Sequence, residues 1–249
     1  MTDILYSIKY SGNDGVFQRL KCSVDSILNN TDKDSTICIA DTSVDSLEDK
    51  LKEILGIQFK YIHKPNYGIY NKSYNINVGV KNLITSEKFI MSDVDVVYQK
   101  DHIARSKLMP YDLIVSVVHR IKPGIVSSDF YELIRHGILS TELIGGNCYC
   151  SKKLFYSLNG FDEQYVGYGA EDDDFYLRAM RKTKVYYAKT QGFDKSFTIA
   201  HLWHEKMLGE DPNFMTYLDM NRARLAGVQQ KLANGQLRFH SVNPNGWGL

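Results

Sequence analysis

The run Glu171–Asp172–Asp173–Asp174 sets four carboxylates side by side, directly behind Gly167–Tyr168–Gly169–Ala170. Like charges crowded this way repel, so stability alone does not account for them. Acids at a helix start gain from the helix dipole and can cap free N–H groups. That accounts for one or two of the four, with Asp173 or Asp174 the expected caps. A carboxylate at a helix N-terminus also stays ionised and can take the proton of an attacking alcohol, which is general-base chemistry. The glycines allow close approach of backbone to a ligand, and Tyr168 between them offers a ring face to a sugar.

A second pair of acids, Asp93 and Asp95, closes an apolar run in "MSDVDVVY". Inside a regular strand the two would share one face. At a strand end, one can reach a metal ion and the other a ribose or water. Carboxylate oxygens suit Mg²⁺ or Mn²⁺, and a diphosphate would complete the coordination. "HLWH" adds His201 and His204, whose neutral imidazoles ligate ions such as Mn²⁺. A turn must separate these two histidines if both are to face one ion.

These groups need a scaffold, and the first hundred residues supply its pattern. Apolar runs at 3–10, 35–43, 57–62 and 88–98 alternate with helical spacing at 15–30, 46–55 and 71–84. Strand–helix alternation of this kind predicts an α/β fold with a mostly parallel, doubly wound sheet. Ligands of such sheets lie beyond the carboxyl ends of the strands, where Asp41 and Asp93 fall. Beyond Tyr98 the pattern is less regular. A helix turn and a strand are expected in 101–124, a short helix at 151–158 and a helix at 171–181. Strands follow at 184–189 and 196–203, then a C-terminal helix stopped by Gly235. The stretch 122–145, with Gly124 and Gly137, has the length of a lid over the cleft.

The chain has 249 residues, enough for one large domain. The simplest reading is a single unit, 1–249, with a nucleotide-binding half (1–98) and an acceptor-binding, catalytic half (99–249). A net charge of +1 argues against nucleic acid as a partner. The four cysteines, Cys22, Cys38, Cys148 and Cys150, lack metal-type pairing beyond one C-x-C and are read as reduced. No apolar run reaches the ~20 residues of a membrane span. A cytoplasmic chain, free or peripheral at a membrane, is expected.

Three blocks in order carry a resemblance: "YNKSYNINVGV" with "KFIMSDVDVVY", then "GGNCYCSKKLFYSLNGFDEQYVGYGAEDDDFYLR", then "AHLWH". Together they resemble the GT-A nucleotide-sugar glycosyltransferases, above all the β-1,4-galactosyltransferases and the related chondroitin-polymerase-like and polypeptide GalNAc-transferase-like domains. The likeness covers roughly 66–204. It implies a GT-A, Rossmann-like mixed sheet flanked by helices, and a UDP-sugar donor with a glycan acceptor.

Position by position, the resemblance makes Asp95, His201 and His204 the metal ligands, with Mn²⁺ the expected ion and Mg²⁺ an alternative. It makes Asp172 the base, and Glu171, Tyr168, Gly145 and Gly146 the acceptor-binding residues. Tyr10, Asp41, Tyr70, Lys72, Asp93, Val94 and Leu143 fall to the donor, with Asp41 on the uracil or ribose. His201 stands where the galactosyltransferases carry methionine, Tyr168 where they carry tryptophan, and Ala170 where glycine is usual. Leu143 replaces a large aromatic residue and leaves room for a bulky group at sugar C2, so UDP-GalNAc and UDP-GlcNAc join UDP-Gal as expected donors. Inverting transfer is expected. A retaining enzyme and a non-catalytic sugar-binding protein of the same fold are the alternatives.

Overall fold

The computed structural model describes residues 1–30, 34–140, 147–205, 213–236 and 242–249. β1 (Thr2–Ile8) is buried along its whole length, as a central strand covered on both faces must be. Its alternation divides the interior. Ile4, Tyr6 and Ile8 face one apolar cluster, and Leu5 faces another.

The first cluster takes in α1 (Gly15–Leu28) and α2 (Glu48–Leu55). The second takes in α3 (Lys72–Leu83), and Gly79 lets that helix lie on the sheet: a Cβ there would meet Leu5 Cδ1 at 2.5 Å. β2 (Ser35–Asp41), β3 (Lys60–His63) and β4 (Lys88–Ser92) complete the parallel half of the sheet.

The chain then leaves that sheet. β5 (Val96–Tyr98) belongs to a second sheet, so the single strand expected over 88–98 is two strands with Asp93–Asp95 at the break. Asn147 holds the break open: its Oδ1 accepts from the Asp93 amide at 2.9 Å, and its Nδ2 donates to Asp93 Oδ2 at 3.1 Å. After α4 (His102–Leu108) the same crossing recurs. β6 (Leu113–Val115) lies in the first sheet and β7 (Val117–Ile121) in the second, parted only by Ser116.

α5 (Phe130–Ile134) and β8 (Gly137–Leu139) fall in the middle of the stretch expected to be a lid. Phe130 and Leu133 are buried and β8 pairs with β7, so 130–139 is packed structure rather than a free loop. A Cβ on Gly137 would press on Ile121 at 2.9 Å, so this glycine serves strand packing and is no hinge.

β9 (Cys148–Ser151) runs antiparallel between β4 and β6. α6 (Lys152–Ser157), α7 (Glu171–Lys182), β10 (Val185–Tyr187), β11 (Thr198–His201) and α8 (Phe214–Ala233) follow. The first sheet has the order β10-β6-β9-β4-β1-β2-β3 with only β9 reversed, which agrees with the mixed, mostly parallel sheet expected. The second, β5-β11-β7-β8, has no counterpart in the sequence-based expectation. Among the described residues no helix is long and apolar enough to cross a membrane.

Candidate active site

One cleft of about 900 Å³ collects side chains from both halves of the chain. Asp95, His201 and His204 stand in it, and so do Lys72, Asp93, Glu171 and Asp172.

The second sheet builds the metal-ligand end. β11 runs antiparallel to β5 with His201 opposite Val96, and the Leu202 amide donates to the Asp95 carbonyl at 2.8 Å. This register sets Asp95 beside His201. The strand ends at His201, and the turn through the buried Leu202 brings His204 to the same side. His201 Nε2 lies 3.5 Å from Asp95 Oδ1, and His204 Nε2 lies 3.1 Å from Asp95 Oδ2. One ligand atom of each residue falls within 4.8 Å of the others.

A divalent ion fits this set on two counts. Asp95 Oδ1 is buried and has no hydrogen-bond partner among the described residues. His204 Nδ1 lies 2.9 Å from the Glu205 carbonyl, a bond it makes by donating its proton. A neutral ring then turns the Nε2 lone pair toward a carboxylate oxygen, and that pairing is favourable only with a proton or a cation between them. Burial opposes the Asp95 charge, but His201, His204 and Arg19 overcome it and hold the carboxyl well below its usual range. The bond to Asp95 in turn raises the His204 pKa.

The other end of the cleft is the N-terminus of α7. Neither Asp173 nor Asp174 caps it, contrary to expectation. Asp174 turns inward, and one of its oxygens takes Arg178 Nε at 2.8 Å and Nη2 at 2.7 Å. Both side chains are buried, and Arg178 Nη1 donates to the Leu158 and Gly160 carbonyls. This pair locks α7 to the preceding loop, which leaves Glu171 and Asp172 at the cleft.

Asp172 Oδ2 lies 3.4 Å from Lys72 Nζ, and its buried Oδ1 has no hydrogen-bond partner among the described residues. Burial raises the Asp172 pKa well above the usual carboxylate range. Lys72 pulls it back, and Glu171 and Asp93 push it up. Tyr70, half-buried beside Lys72, has its phenol pushed up to about 12, chiefly by desolvation.

Several expected site residues stand elsewhere. Asp41 is buried beneath the loop after β2. It accepts from the Ser43 and Leu47 amides, at 2.8 and 3.0 Å, and from the Tyr61 hydroxyl at 2.5 Å. Both oxygens are engaged in shaping that loop. Tyr10 also stays out of the cleft lining. Its ring packs on Phe17 and its hydroxyl donates to Asp14. Val94 and the half-exposed Tyr168 do line the cleft. Leu143, Gly145 and Gly146 lie outside the described residues.

Gly167 makes its close approach to α8 rather than to a ligand: φ is +72°, and a Cβ would meet Tyr217 at 2.9 Å. Buried Asn221 of α8 pins this loop by donating to the Val166 and Tyr168 carbonyls at 2.9 and 3.1 Å. Asn147, Asn221, Arg19 and Arg120 were not singled out in the sequence. Asn147 directly follows the quoted Gly145–Gly146 pair and was open to that reading. Arg120 stands opposite His201 only through the β7–β11 register, for which the sequence carries no signal.

This architecture is that of the GT-A nucleotide-sugar glycosyltransferases. Solved structures overlay on most of the chain. GalNAc-T7 with UDP, GalNAc and Mn²⁺ gives a TM-score of 0.61 over 88% of this chain and 48% of that one, at 12% identity. S. aureus TarS gives 0.58 over 96% and 43%, at 14% identity. The catalytic domain of Drosophila β1,4-galactosyltransferase 7 with xylobiose gives 0.51 over 89% and 80%, at 16% identity.

In sequence, the family model described as the N-terminal domain of galactosyltransferase matches residues 131–202. The xylosylprotein 4-β-galactosyltransferase of Caenorhabditis elegans is 27% identical over 184 residues, 67% of this chain and 58% of that protein. Human β-1,4-galactosyltransferase 4 is 31% identical over 129 residues, 50% of this chain and 33% of that protein. The chain thus spans a third to three-fifths of the length of these two relatives.

Proposed function

We propose that the protein is a metal-dependent, inverting glycosyltransferase that moves a hexose or N-acetylhexosamine from a UDP-sugar to a glycan hydroxyl. One observation carries this reading: a carboxylate–imidazole set fit for a divalent ion and a second, unliganded acid, Asp172, open into the same cleft. The galactosyltransferase relatives and the UDP-bound structural neighbour support it.

Asp95, His201 and His204 would hold the ion. Two imidazoles and a carboxylate suit Mn²⁺ better than Mg²⁺, which prefers an all-oxygen set. The ion would supply positive charge to the departing diphosphate. Asp172 Oδ1 accepts the proton of the acceptor hydroxyl as that oxygen bonds to the anomeric carbon. The bond from that carbon to the diphosphate breaks, and its electron pair leaves with UDP. Tyr168 offers its half-exposed ring, backed by Phe214 at 4.9 Å, to a sugar face.

The test is UDP release from UDP-Gal, UDP-GalNAc, UDP-GlcNAc and UDP-Glc with Mn²⁺, Mg²⁺ or EDTA, with and without simple sugar acceptors. Transfer that stops in EDTA, falls on the order of 10²–10⁴-fold in Asp172→Asn and inverts the anomeric centre by proton NMR is expected. An Asp172→Asn enzyme at full rate would end this reading.

A further inference from the structure

Lys72 begins α3, on the donor side of the proposed site, yet its ammonium reaches three acids. Nζ lies 2.9 Å from Asp93 Oδ1, 3.4 Å from Asp172 Oδ2 and 3.8 Å from Glu171 Oε1. The Lys72 side chain is 15% exposed, and those of Asp172 and Glu171 are 14% and 12%. With so little water between them, these charges act strongly on one another. One ammonium is shared among a donor-side carboxylate, Asp93, and two acceptor-side ones, Glu171 and Asp172.

We propose that Lys72 is a positioning residue for the base: its ammonium favours the carboxylate form of Asp172 and fixes Oδ2, so that Oδ1 alone meets the acceptor hydroxyl. This rests on the glycosyltransferase reading and deepens it, because it ties the state of the base to the donor side of the cleft through Asp93.

The groups that act on Asp172 are Lys72 of α3, Asp93 at the end of β4, the neighbouring Glu171 and Cys148 of β9, while Tyr70 of the preceding loop faces Lys72. Among the described residues, Lys72 is the cation that lies within 4 Å of all three acids. Its removal takes away that shared counter-charge, which favours the protonated form of these carboxylates. A protonated Asp172 cannot act as base.

The experiment follows the Asp172 carboxyl by carbon-13 NMR of aspartate-labelled protein, its signal assigned by loss in Asp172→Asn. It is paired with the pH profile of kcat/KM for acceptor at saturating donor. Lys72→Met is expected to raise the Asp172 midpoint by about one unit or more, and to move the acid limb of the profile with it. Lys72→Arg should restore both. Asp93→Asn, which removes a like charge and frees the ammonium, should lower the midpoint and keeps the test available if Lys72→Met fails to fold.

An Asp172 midpoint unmoved in Asp93→Asn or in folded Lys72→Met overturns the proposal. So does a variant enzyme in which only the KM for donor rises, since Lys72 would then be a donor ligand alone. A wild-type protein inactive with every UDP-sugar would defeat the glycosyltransferase reading instead, and the NMR titration would still report the Lys72–Asp172 coupling.

Discussion

His201 and His204 do different work at the proposed metal site, and the geometry separates them. His204 is oriented by the Glu205 carbonyl and points Nε2 at Asp95, whereas among the described residues no such bond through Nδ1 is seen for His201. An oriented ligand loses less freedom on binding, so His204 should contribute more. By calorimetric titration, His204→Ala is expected to weaken Mn²⁺ binding on the order of 100-fold, and His201→Ala less. Equal, unweakened binding in both would remove them from the metal site. At the same scale, Asp41 has a structural task that its residue type does not announce. An aspartate at the carboxyl end of a parallel strand invites a ligand role, but here the amides of its own loop and the Tyr61 hydroxyl use both oxygens.

Helix α7 starts on a strained residue. Ala170 has φ +73°, a left-handed backbone that costs an L side chain about 1–2 kcal/mol. Glycine adopts it freely, and glycine is the residue usual at this point in the galactosyltransferases that the motif resembles. Ala170→Gly is expected to stabilise the fold by about 1 kcal/mol, seen as a higher urea midpoint at unchanged slope. A lower midpoint would show that the alanine methyl is needed for packing.

The crowded acids of α7 were visible in the sequence. Their division of labour was not, because Asp174 pairs with Arg178 four residues on, while Asp172 meets a lysine 100 positions away. Likewise the Tyr168 platform depends on α8, whose Phe214 backs the ring and whose Asn221 holds the loop.

Across the whole molecule, the cleft lies where the chain changes sheets, and the sheet itself is pinned at the amino end of its central strand. Buried Asp3 opens β1 and accepts from the Ser86 and Thr85 amides, each at 2.7 Å, and from Lys60 of β3 at 3.0 Å. Burial opposes its charge, but the Ser86 amide, Lys60 and the Thr85 amide outweigh that and hold the pKa at about 2. A depressed folded pKa contributes stability above the unfolded value near 4 and loses it as pH falls through the folded value near 2. Asp3→Asn is therefore expected to lower stability by about 1–3 kcal/mol at pH 7. The gap should close as pH drops from about 4 toward 2 in urea denaturation. A gap independent of pH would assign the loss to shape rather than charge.

Local order was legible in the chain itself: alternating strands and helices, the short D-x-D, the acidic helix start and the paired histidines. Each rests on interactions between near neighbours, which residue type and spacing encode directly. Partnership across distance was decided only by the tertiary structure. The break at Asp93–Asp95 sends one apolar run into two sheets, the β5–β11 register sets Asp95 beside His201, and α3 delivers Lys72 among three acids. Hydrogen-bond register and helix docking are collective results of burying a core, and no short stretch of sequence contains them.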